Sequence, residues 1–390
     1  AFAPSASSGQ AFARQPLAFC LLPVIKIMEK RKRIGILTSG GDCPGLNAVI
    51  RAVVNCATLT YNWEVRGIPY ATEGLRERKS VVLNQYGLER HGTDPLLSMG
   101  GTILGSINKG HTEEQADEVI AGYYDLGLDA LIAIGGDGSL AILHKLAQKG
   151  NLNLVAVPKT IDNDVALTEK SVGFDSAVTI IVEALDRLSF TAASHDRVMV
   201  VEVMGREAGH LALNAGIAGG ADAILIPELP YSIKGVCKLI TQLRNLYERR
   251  FAIVVVAEGA KTLEGASRSY TDALGEVRLR GIGEYVADQI SRQSNVEARV
   301  TVLGHVQRGG IPSAYDRLIA TQFGKVAVDL VATEQYNQMV AWQNGKVVQV
   351  PLQDVFDQSP VLVDPKGGLI ETARALGIYV GELPTITENS

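Results

Sequence analysis

The sequence predicts an α/β fold made of two Rossmann-like, three-layer domains with mostly parallel sheets and an active site in the cleft between them. Three observations predict this fold. Short, nearly continuous apolar runs recur along the chain, as expected for strands that helices cover on both faces. Amphipathic stretches with helical periodicity lie between these runs. Glycine-rich segments follow several of the runs, at the strand ends where α/β folds bind their ligands.

The predicted strands alternate with predicted helices. In residues 176–192, Ile181 and Leu185 fall on one helical face and Glu183 falls on the other. Residues 314–333 repeat such an apolar stripe and predict a second long helix. The predicted strands are residues 34–38, 130–134, 154–157, 198–203, 223–226, 252–257 and 300–303.

The length of the chain predicts more than one domain. Its 390 residues correspond to two or three domains at roughly 150 residues each. We expect one domain to comprise residues 28–173 and 307–360, and the other to comprise residues 174–306 and 361–390. Residues 1–27 are rich in Ala, Ser and Pro and lack acidic residues, so we expect a disordered or non-native extension there.

Composition excludes several classes of protein. The formal net charge of -5 argues against a general nucleic-acid binder, which is usually basic. No cysteine pair has C-x-x-C spacing, so zinc and thioredoxin-like sites are not expected. Sparse cysteines are typical of a reducing compartment, and we expect the cytosol. The plastid stroma is the alternative if residues 1–27 are the remnant of a transit peptide.

Two glycine-rich loops are suited to hold phosphate groups. Residues 40–45 follow a predicted strand and open a helix, where glycine lets backbone N–H groups approach an anion. A tight turn without a ligand is the alternative for that loop. Residues 135–139 follow the next such strand, and their Asp137 is suited to hold Mg²⁺ beside phosphate oxygens. Gly136, Gly138 and Ala141 fit a loose dinucleotide pattern, but such a match is weak alone.

A third loop carries two carboxylates at a strand end. Asp162 and Asp164 follow Thr160 directly after the predicted strand 154–157. One carboxylate can accept the proton of a substrate hydroxyl while the other helps to position metal or water. Phosphoryl transfer uses this division, because most of its catalysis is positioning and charge neutralisation. A turn that satisfies its own backbone is the alternative.

Two further loops place cations beside glycines. Arg206 lies in residues 203–210, and His305 and Arg308 lie in residues 304–310, each loop again after a strand. Cations in such a position meet an anionic ligand, whereas surface salt bridges are the alternative for each loop alone. Taken jointly, the five loops predict one metal–phosphate centre and one phosphate-ester site.

The five loops together resemble the 6-phosphofructokinase family. The similarity in order and spacing runs from about residue 33 to residue 329. The motifs that carry it are GGDCPGLN at 40–47, GGDGS at 135–139, TIDND at 160–164, MGR at 204–206 and GHVQRGG at 304–310.

The resemblance implies an ATP- and Mg²⁺-dependent kinase of glycolysis that phosphorylates fructose 6-phosphate at its 1-hydroxyl. Asp162 would be the general base with Thr160 and Asp164 beside it, Asp137 would bind Mg²⁺, and Arg206 would stabilise charge on the transferring group. The implied nucleotide contacts are Gly41, Gly136, Asp137, Gly138 and Ser139. The implied sugar-phosphate contacts are Thr160, Asp162, Met204, Gly205, Arg206, Glu258, His305 and Arg308. Arg197 and Arg299 match arginines that serve a neighbouring subunit's site, which implies a homo-oligomer and favours a tetramer over a dimer.

Two positions of the family distinguish members that use ATP as the phosphoryl donor from members that use pyrophosphate. Pyrophosphate-using members have Asp at the position of Gly138 and Lys at that of Lys159, whereas short bacterial ATP users have Gly at both. An Asp at 138 would crowd and repel the nucleotide α-phosphate, so Gly138 favours ATP. The arginine that short bacterial members carry before the Gly-Gly-Thr turn is Met99 here, and Lys109 is our candidate to replace it.

Other interpretations of the function remain open. A pyrophosphate-dependent enzyme is the close alternative, and a nucleotide or lipid kinase or a non-catalytic sugar-phosphate sensor are distant ones. The bacterial allosteric site is matched only in part. Arg51, Asp222, Arg249 and Arg250 fit it, whereas Asn55 and Ser189 replace arginines.

Overall fold

A computed structural model shows thirteen strands in the part of the chain that it describes. It describes residues 31–83, 95–107, 115–263, 269–271, 277–279 and 281–381. The strands are β1 Arg33–Thr38, β2 Glu64–Gly67, β3 Val81–Leu83, β4 Ala130–Gly135, β5 Leu154–Pro158, β6 Val198–Val203, β7 Ala223–Leu225, β8 Ala252–Ala257, β9 Ser269–Thr271, β10 Val277–Leu279, β11 Ala298–Val302, β12 Gln338–Gln343 and β13 Lys346–Pro351.

Helices lie between most of these strands. The α-helices of the described ranges are α1 Leu46–Leu59, α2 Thr72–Arg76, α3 Ala116–Asp125, α4 Asp137–Gly150, α5 Phe174–His195, α6 His210–Ala218, α7 Ile233–Leu246, α8 Ile282–Ser294, α9 Ala314–Ala332, α10 Leu352–Gln358 and α11 Gly368–Ala375. Short 3-10 helices cover Pro95–Leu97 and Gly304–Arg308. Within the same ranges, no helix is both long and apolar enough to cross a bilayer.

The larger sheet has seven strands in the order β13-β12-β5-β4-β1-β2-β3. Its edge strands β3 and β13 run antiparallel to their neighbours, and the other pairs are parallel. Every residue of β4 and β5 is buried, because helices cover both faces of the sheet. Helices α1 and α9 pack together on one face, and their buried side chains join one apolar cluster with those of β1 and β4.

A second sheet has four parallel strands in the order β11-β6-β8-β7. Its central strands β6 and β8 are buried throughout, as expected for strands with helices on both faces. The edge strand β11 is only partly buried. The predicted α/β fold with mostly parallel sheets is confirmed. Each predicted strand begins and ends within two residues of the ends of an observed strand.

The chain passes between the two sheets at the start of α5 and again before α9. Asp316 of α9 is fully buried and its carboxylate accepts hydrogen bonds from the backbone N–H groups of Gly173 (3.0 Å) and Ser176 (2.8 Å). It thereby caps the N-terminus of α5 from another helix. Burial raises the pKa of Asp316 to about 6, against the effect of its hydrogen bonds from Ser176 and Gly173. The two crossing segments are therefore held together beside the loops described next.

Candidate active site

Loops from three neighbouring strands of the larger sheet surround a cavity of about 230 Å³. They follow the carboxyl ends of β1, β4 and β5, which are adjacent and parallel, so the topology brings them together. The 3-10 helix Gly304–Arg308, which follows β11 of the smaller sheet, adds a fourth side. The lining residues are Gly40, Gly41, Asp42, Cys43, Gly136, Asp137, Gly138, Ser139, Lys159, Thr160, Ile161, Asp162, Asp164 and Arg308.

The structure thus brings most of the predicted nucleotide and catalytic residues into one cavity. Asp137 and Asp162, which the sequence assigned to metal and base, both line it. Cys43 and Ile161 also line the cavity, although no role is predicted for them from the motifs in which they lie. Burial raises the pKa of the Cys43 thiol to about 12, so Cys43 is a neutral packing residue rather than a nucleophile.

Arg308 reaches across the cavity to the first glycine-rich loop. Its guanidinium lies so close to Gly41 that a side chain at position 41 would collide with it. Glycine at this position leaves room for that close approach, and a larger residue would displace the Arg308 guanidinium. The Arg308 Nε atom is buried and has no hydrogen-bond partner among the described residues. A buried donor without a partner marks a place that a ligand can fill.

The loop that follows β5 is held by hydrogen bonds to the end of β4, to Val172 and to the side chain of its own Thr160. The Lys159 N–H donates to the Gly135 carbonyl (2.9 Å) and the Thr160 N–H donates to the Val172 carbonyl (3.2 Å). The Thr160 hydroxyl accepts from the Asp162 N–H at 3.1 Å. These bonds place Thr160 and Asp162 at the cavity wall on a fixed turn rather than on a free loop.

Asp162 has the properties of a general base. Its Oδ1 atom is buried and has no hydrogen-bond partner within the described residues. Burial, and then the negative charge of Asp164, raise the pKa of Asp162 to about 7, while Arg308 and Lys159 act in the opposite direction. A carboxylate with a pKa near the working pH and a free oxygen in a cavity is suited to accept a proton from a bound hydroxyl.

Asp137 and Asp164 form a second carboxylate pair in the cavity. Asp137 is the first residue of α4. Burial, and then the negative charge of Asp137, raise the pKa of Asp164. Two carboxylates that line one cavity beside a phosphate-binding loop fit Mg²⁺, which binds one or two carboxylates together with substrate phosphates. The described residues hold no group of three or more metal-ligating side chains, so the fit depends on those phosphates.

Lys159 supplies a buried positive charge to the same cavity. The residue is only 5% exposed. Burial lowers the pKa of Lys159, Arg308 adds to this decrease, and the carboxylates of Asp42 and Asp162 oppose it. Among the described residues Lys159 forms no direct ion pair, although the carboxylates of Asp42 and Asp162 line the same cavity. An anionic ligand in the cavity would therefore meet a cation that the protein itself leaves unpaired.

The predicted sugar-phosphate residues Met204, Gly205, Arg206 and Glu258 follow the ends of β6 and β8. Burial, and then Glu202, raise the pKa of Glu258, whereas Arg308 and Arg206 lower it, so Glu258 lies within the electrostatic reach of both cations. Arg206 itself is exposed and does not line the cavity. The side chains of this group lie beside the cavity on the smaller sheet.

Gln307 connects the two loops of the smaller sheet, although no role is predicted for it from the sequence. The residue is fully buried. Its Oε1 accepts from the Met204 N–H (3.2 Å) and its Nε2 donates to the Gly304 carbonyl (3.0 Å). Its neighbour His305 is exposed. A glutamine between a histidine and an arginine gives no sequence signal for this inward bridge.

Three predicted residues lie away from the cavity or outside the described residues. Arg197 and Arg299 lie at the starts of β6 and β11, the opposite ends of these strands from Arg206 and Arg308. Both arginines pair with Glu297 (Arg197 Nε to Glu297 Oε2, 2.7 Å). A strand of this length separates its ends by roughly 17–20 Å, so these arginines do not reach the cavity of their own chain. Lys109 lies outside the described residues.

Three of the residues that match part of the bacterial allosteric site form ion pairs. Arg249 forms a two-pronged ion pair with Asp222, whose carboxylate also accepts from the Ile253 N–H (2.8 Å). Arg250 pairs with Asp196 at 3.5 Å. These contacts hold Arg249 against the start of β8.

Fold and cavity together define a phosphotransferase that acts on an alcohol. The glycine-rich loops offer a phosphate cradle, and a buried carboxylate faces it with a free oxygen. Comparison with known proteins narrows this class, because residues 33–331 match the family described as Phosphofructokinase. The chain belongs to the phosphofructokinase family, and within it to the ATP-dependent 6-phosphofructokinases, as its motifs predicted.

Curated relatives support this assignment over nearly their full length. The chain is 66% identical over 355 residues to ATP-dependent 6-phosphofructokinase 2 of a Nostoc species, covering 90% of this chain and 99% of that protein. It is 61% identical to the ATP-dependent 6-phosphofructokinase of Thermosynechococcus vestitus, covering 92% and 95%.

Solved structures share the fold. Phosphofructokinase of Pichia pastoris in its T-state has a TM-score of 0.74 at 34% identity, covering 90% of this chain but 37% of that longer one. A pyrophosphate-dependent phosphofructokinase of Nitrosospira multiformis has a TM-score of 0.76 at 20% identity over 92% and 95% of the two chains, which shows the fold alone.

Proposed function

We propose that this protein transfers the terminal phosphoryl group of ATP to the 1-hydroxyl of fructose 6-phosphate, giving fructose 1,6-bisphosphate and ADP. One observation carries the proposal: the buried, unpartnered Oδ1 of Asp162 shares a cavity with the glycine-rich loops and Asp137. The names of the relatives, ATP-dependent 6-phosphofructokinase, agree with it. Phosphorus NMR of the products tests it, and phosphate on any other sugar hydroxyl would contradict it.

Asp162 removes the proton that the attacking hydroxyl must lose. Its free Oδ1 accepts a hydrogen bond from the sugar 1-hydroxyl, and the proton moves to this oxygen as the O–P bond forms. Thr160 contributes by holding the Asp162 N–H and with it the direction of the turn. Arg206 supports charge on the transferring group when the ligands draw it toward the cavity.

Residues of the larger sheet hold the donor. Gly41, Gly136, Gly138 and Ser139 present backbone or hydroxyl donors to the polyphosphate at the start of α4. Asp137 and Asp164 would hold Mg²⁺, which neutralises charge on the phosphates when it is bound. Lys159 adds a positive charge at the same wall. Lys109 is our candidate for a further donor contact.

Residues of the smaller sheet hold the sugar phosphate. Arg308 lies between the loops of the larger sheet and those of the smaller sheet, where its unpartnered Nε can meet the ligand. Met204, Gly205, Glu258 and His305 complete this half of the site.

Replacing Gly138 tests the choice of donor. A Cβ atom at position 138 would meet no protein atom within 4 Å, so Gly138→Asp should fold normally and place a carboxylate beside the donor site. We expect the KM for ATP to rise at least about tenfold, because a carboxylate repels the α-phosphate. Gly368→Asp is the matched control, since Gly368 also starts a helix and faces open space. An unchanged KM for ATP in Gly138→Asp would reject the donor argument.

The protein works as a homo-oligomer in this proposal, most simply a tetramer, because Arg197 and Arg299 face away from their own cavity. Mixing two inactive variants tests it. Asp162→Asn and Arg197→Ala subunits, unfolded and refolded together, form hybrids in which one site combines the intact Asp162 of one chain with the intact Arg197 of the other. We expect activity to return in the mixture. Two variants that stay inactive when each hybrid is verified by native mass spectrometry would exclude a shared site.

The place of action and the domain bounds stay predictions. Sparse cysteines favour the cytosol, and plastid import of a fluorescent fusion would show the stroma instead. The domain bounds predicted from the sequence are testable by limited proteolysis near residues 173 and 307.

A further inference from the structure

Asn163 lies between two acidic residues of the cavity but does not line it. Asp162 and Asp164 contribute to the cavity wall, and the residue between them does not. Asn163 has a φ of 53°, in the left-handed region that asparagine tolerates better than most residues with a side chain. The chain therefore turns at Asn163, and this turn allows both neighbouring carboxylates to face the same cavity.

The Asn163 amide bonds to the segment that leads into α5. Its Oδ1 accepts from the Ser171 N–H (2.9 Å), and its Nδ2 donates to the Glu169 carbonyl (3.1 Å). The Ser171 hydroxyl lies 3.2 Å from the same Oδ1 and 2.7 Å from the Thr160 carbonyl. Because a hydroxyl has one proton, it donates to the nearer Thr160 carbonyl. The Asn163 side chain thus binds both a backbone donor and a backbone acceptor of residues 169–171.

Backbone bonds hold the ends of the same turn. The Thr160 N–H donates to the Val172 carbonyl (3.2 Å), and the Val361 N–H donates to the Asp164 carbonyl (2.7 Å). Between these two anchors, the turn is held to residues 169–171 through Asn163. Loss of the Asn163 amide would leave the middle of the turn, where Asp162 lies, without this support.

We propose that Asn163 is a positioning residue that keeps the Asp162 carboxylate directed at the sugar hydroxyl by tying the turn 160–164 to residues 169–171. The inference rests on the proposed role of Asp162. It predicts an effect on turnover rather than on substrate binding, since other loops supply most substrate contacts. A displacement of about 1 Å at a reacting group can lower a rate about a hundredfold.

Asn163→Gly separates the side chain from the backbone conformation. Glycine adopts the left-handed conformation freely, so the turn is kept while the amide bonds are lost. We expect kcat to fall at least about tenfold, with each KM changed less than about twofold. Asn295→Gly is the matched control, because Asn295 has a φ of 50° and is exposed at the end of α8. Its kcat should equal that of the wild type.

Two results would overturn the proposal. Wild-type kcat in Asn163→Gly would mean that only the backbone conformation matters at this position. Equal changes in kcat and in the KM for both substrates, shared by Asn295→Gly, would mean a general loss of structure. If Asn163→Gly does not fold, Asn163→Asp is used instead, since it keeps the oxygen that accepts from the Ser171 N–H but not the donor to Glu169. Its kcat should also fall, and a wild-type value would overturn the proposal.

Two further measurements separate this inference from the proposed function. Normal turnover in Asp162→Asn would reject Asp162 as the base. Loss of turnover in Asp162→Asn together with wild-type turnover in Asn163→Gly would reject only the role of Asn163. Ser171→Ala removes the bond to the Thr160 carbonyl, and its effect on kcat should overlap with that of Asn163→Gly in the double variant. Fully multiplicative effects would mean that the two residues do not hold one turn.

Discussion

Asp162→Asn should lower kcat by about three to four powers of ten while leaving the affinity for fructose 6-phosphate nearly unchanged. The amide has the shape of the carboxylate but cannot take the proton that the attacking hydroxyl loses. Sugar binding depends on other residues, such as Arg308, so it should persist. Steady-state kinetics give kcat, and isothermal titration calorimetry with the sugar phosphate gives the affinity. Asp288→Asn on the surface of α8 is a matched control. Turnover within tenfold of the wild type would contradict the assignment.

The same variant should be more stable than the wild type, but only at higher pH. The folded pKa of about 7 lies above the ordinary value of 3.8, because the ionised carboxylate is buried. Wild-type stability therefore falls as the pH rises from about 4 to 7, by at most about 4 kcal/mol for this group. Asparagine does not titrate, so the melting temperature of Asp162→Asn should exceed that of the wild type at pH 8 and match it near pH 4. A difference that is constant with pH would show that Asp162 is not buried as described.

Arg206→Ala should lower kcat by about two to three powers of ten. Arg206 is exposed beside the cavity and its charge reaches Glu258, so its removal should leave the fold intact. The loss arises because negative charge on the transferring phosphoryl group is then no longer stabilised by the Arg206 guanidinium. Its backbone is held close to the chain after β8, since a side chain at Gly259 would collide with the Arg206 carbonyl.

A conservative substitution separates the charge of Arg206 from the geometry of its guanidinium. Arg206→Lys keeps the charge and loses the forked geometry, so its kcat should lie between those of Arg206→Ala and the wild type. Arg292→Ala on α8, an exposed arginine paired with Asp288, should behave as wild type in the same assay. If Arg206→Ala changes only the KM for fructose 6-phosphate, Arg206 binds the sugar phosphate in the ground state and does not act on the transferring group.

The parts of the fold that are buried on both faces could be predicted from the sequence. Strands such as β4 and β8 are continuous apolar runs, and burial on both faces is what produces such runs. The edge strands of the larger sheet, β3 and β13, were missed because only one residue of each is buried. In β13, for example, only Val350 is buried. The Asn344–Gly345 pair between β12 and β13, with both φ angles positive, is a turn signal that could have revealed this hairpin.

The site shows the same division between local and long-range information. Asp137 and Asp162 follow strands that are adjacent in the sheet, so their presence at one cavity follows from the topology of parallel strands. The roles of Gln307 and Asn163 depend on partners that are distant in sequence or outside their own motif. Gln307 binds Met204, more than a hundred positions away. A motif shows that such a residue is present, but not which way its side chain points.

The chemical step itself is the sharpest test of a single cleft in which Asp162 faces the sugar alcohol. A single-turnover experiment, with wild-type or Asp162→Asn protein in excess over fructose 6-phosphate and saturating Mg-ATP, measures this step apart from product release. We predict that the variant forms fructose 1,6-bisphosphate at least about a thousandfold more slowly than the wild type. Equal rate constants for the two proteins would contradict the account.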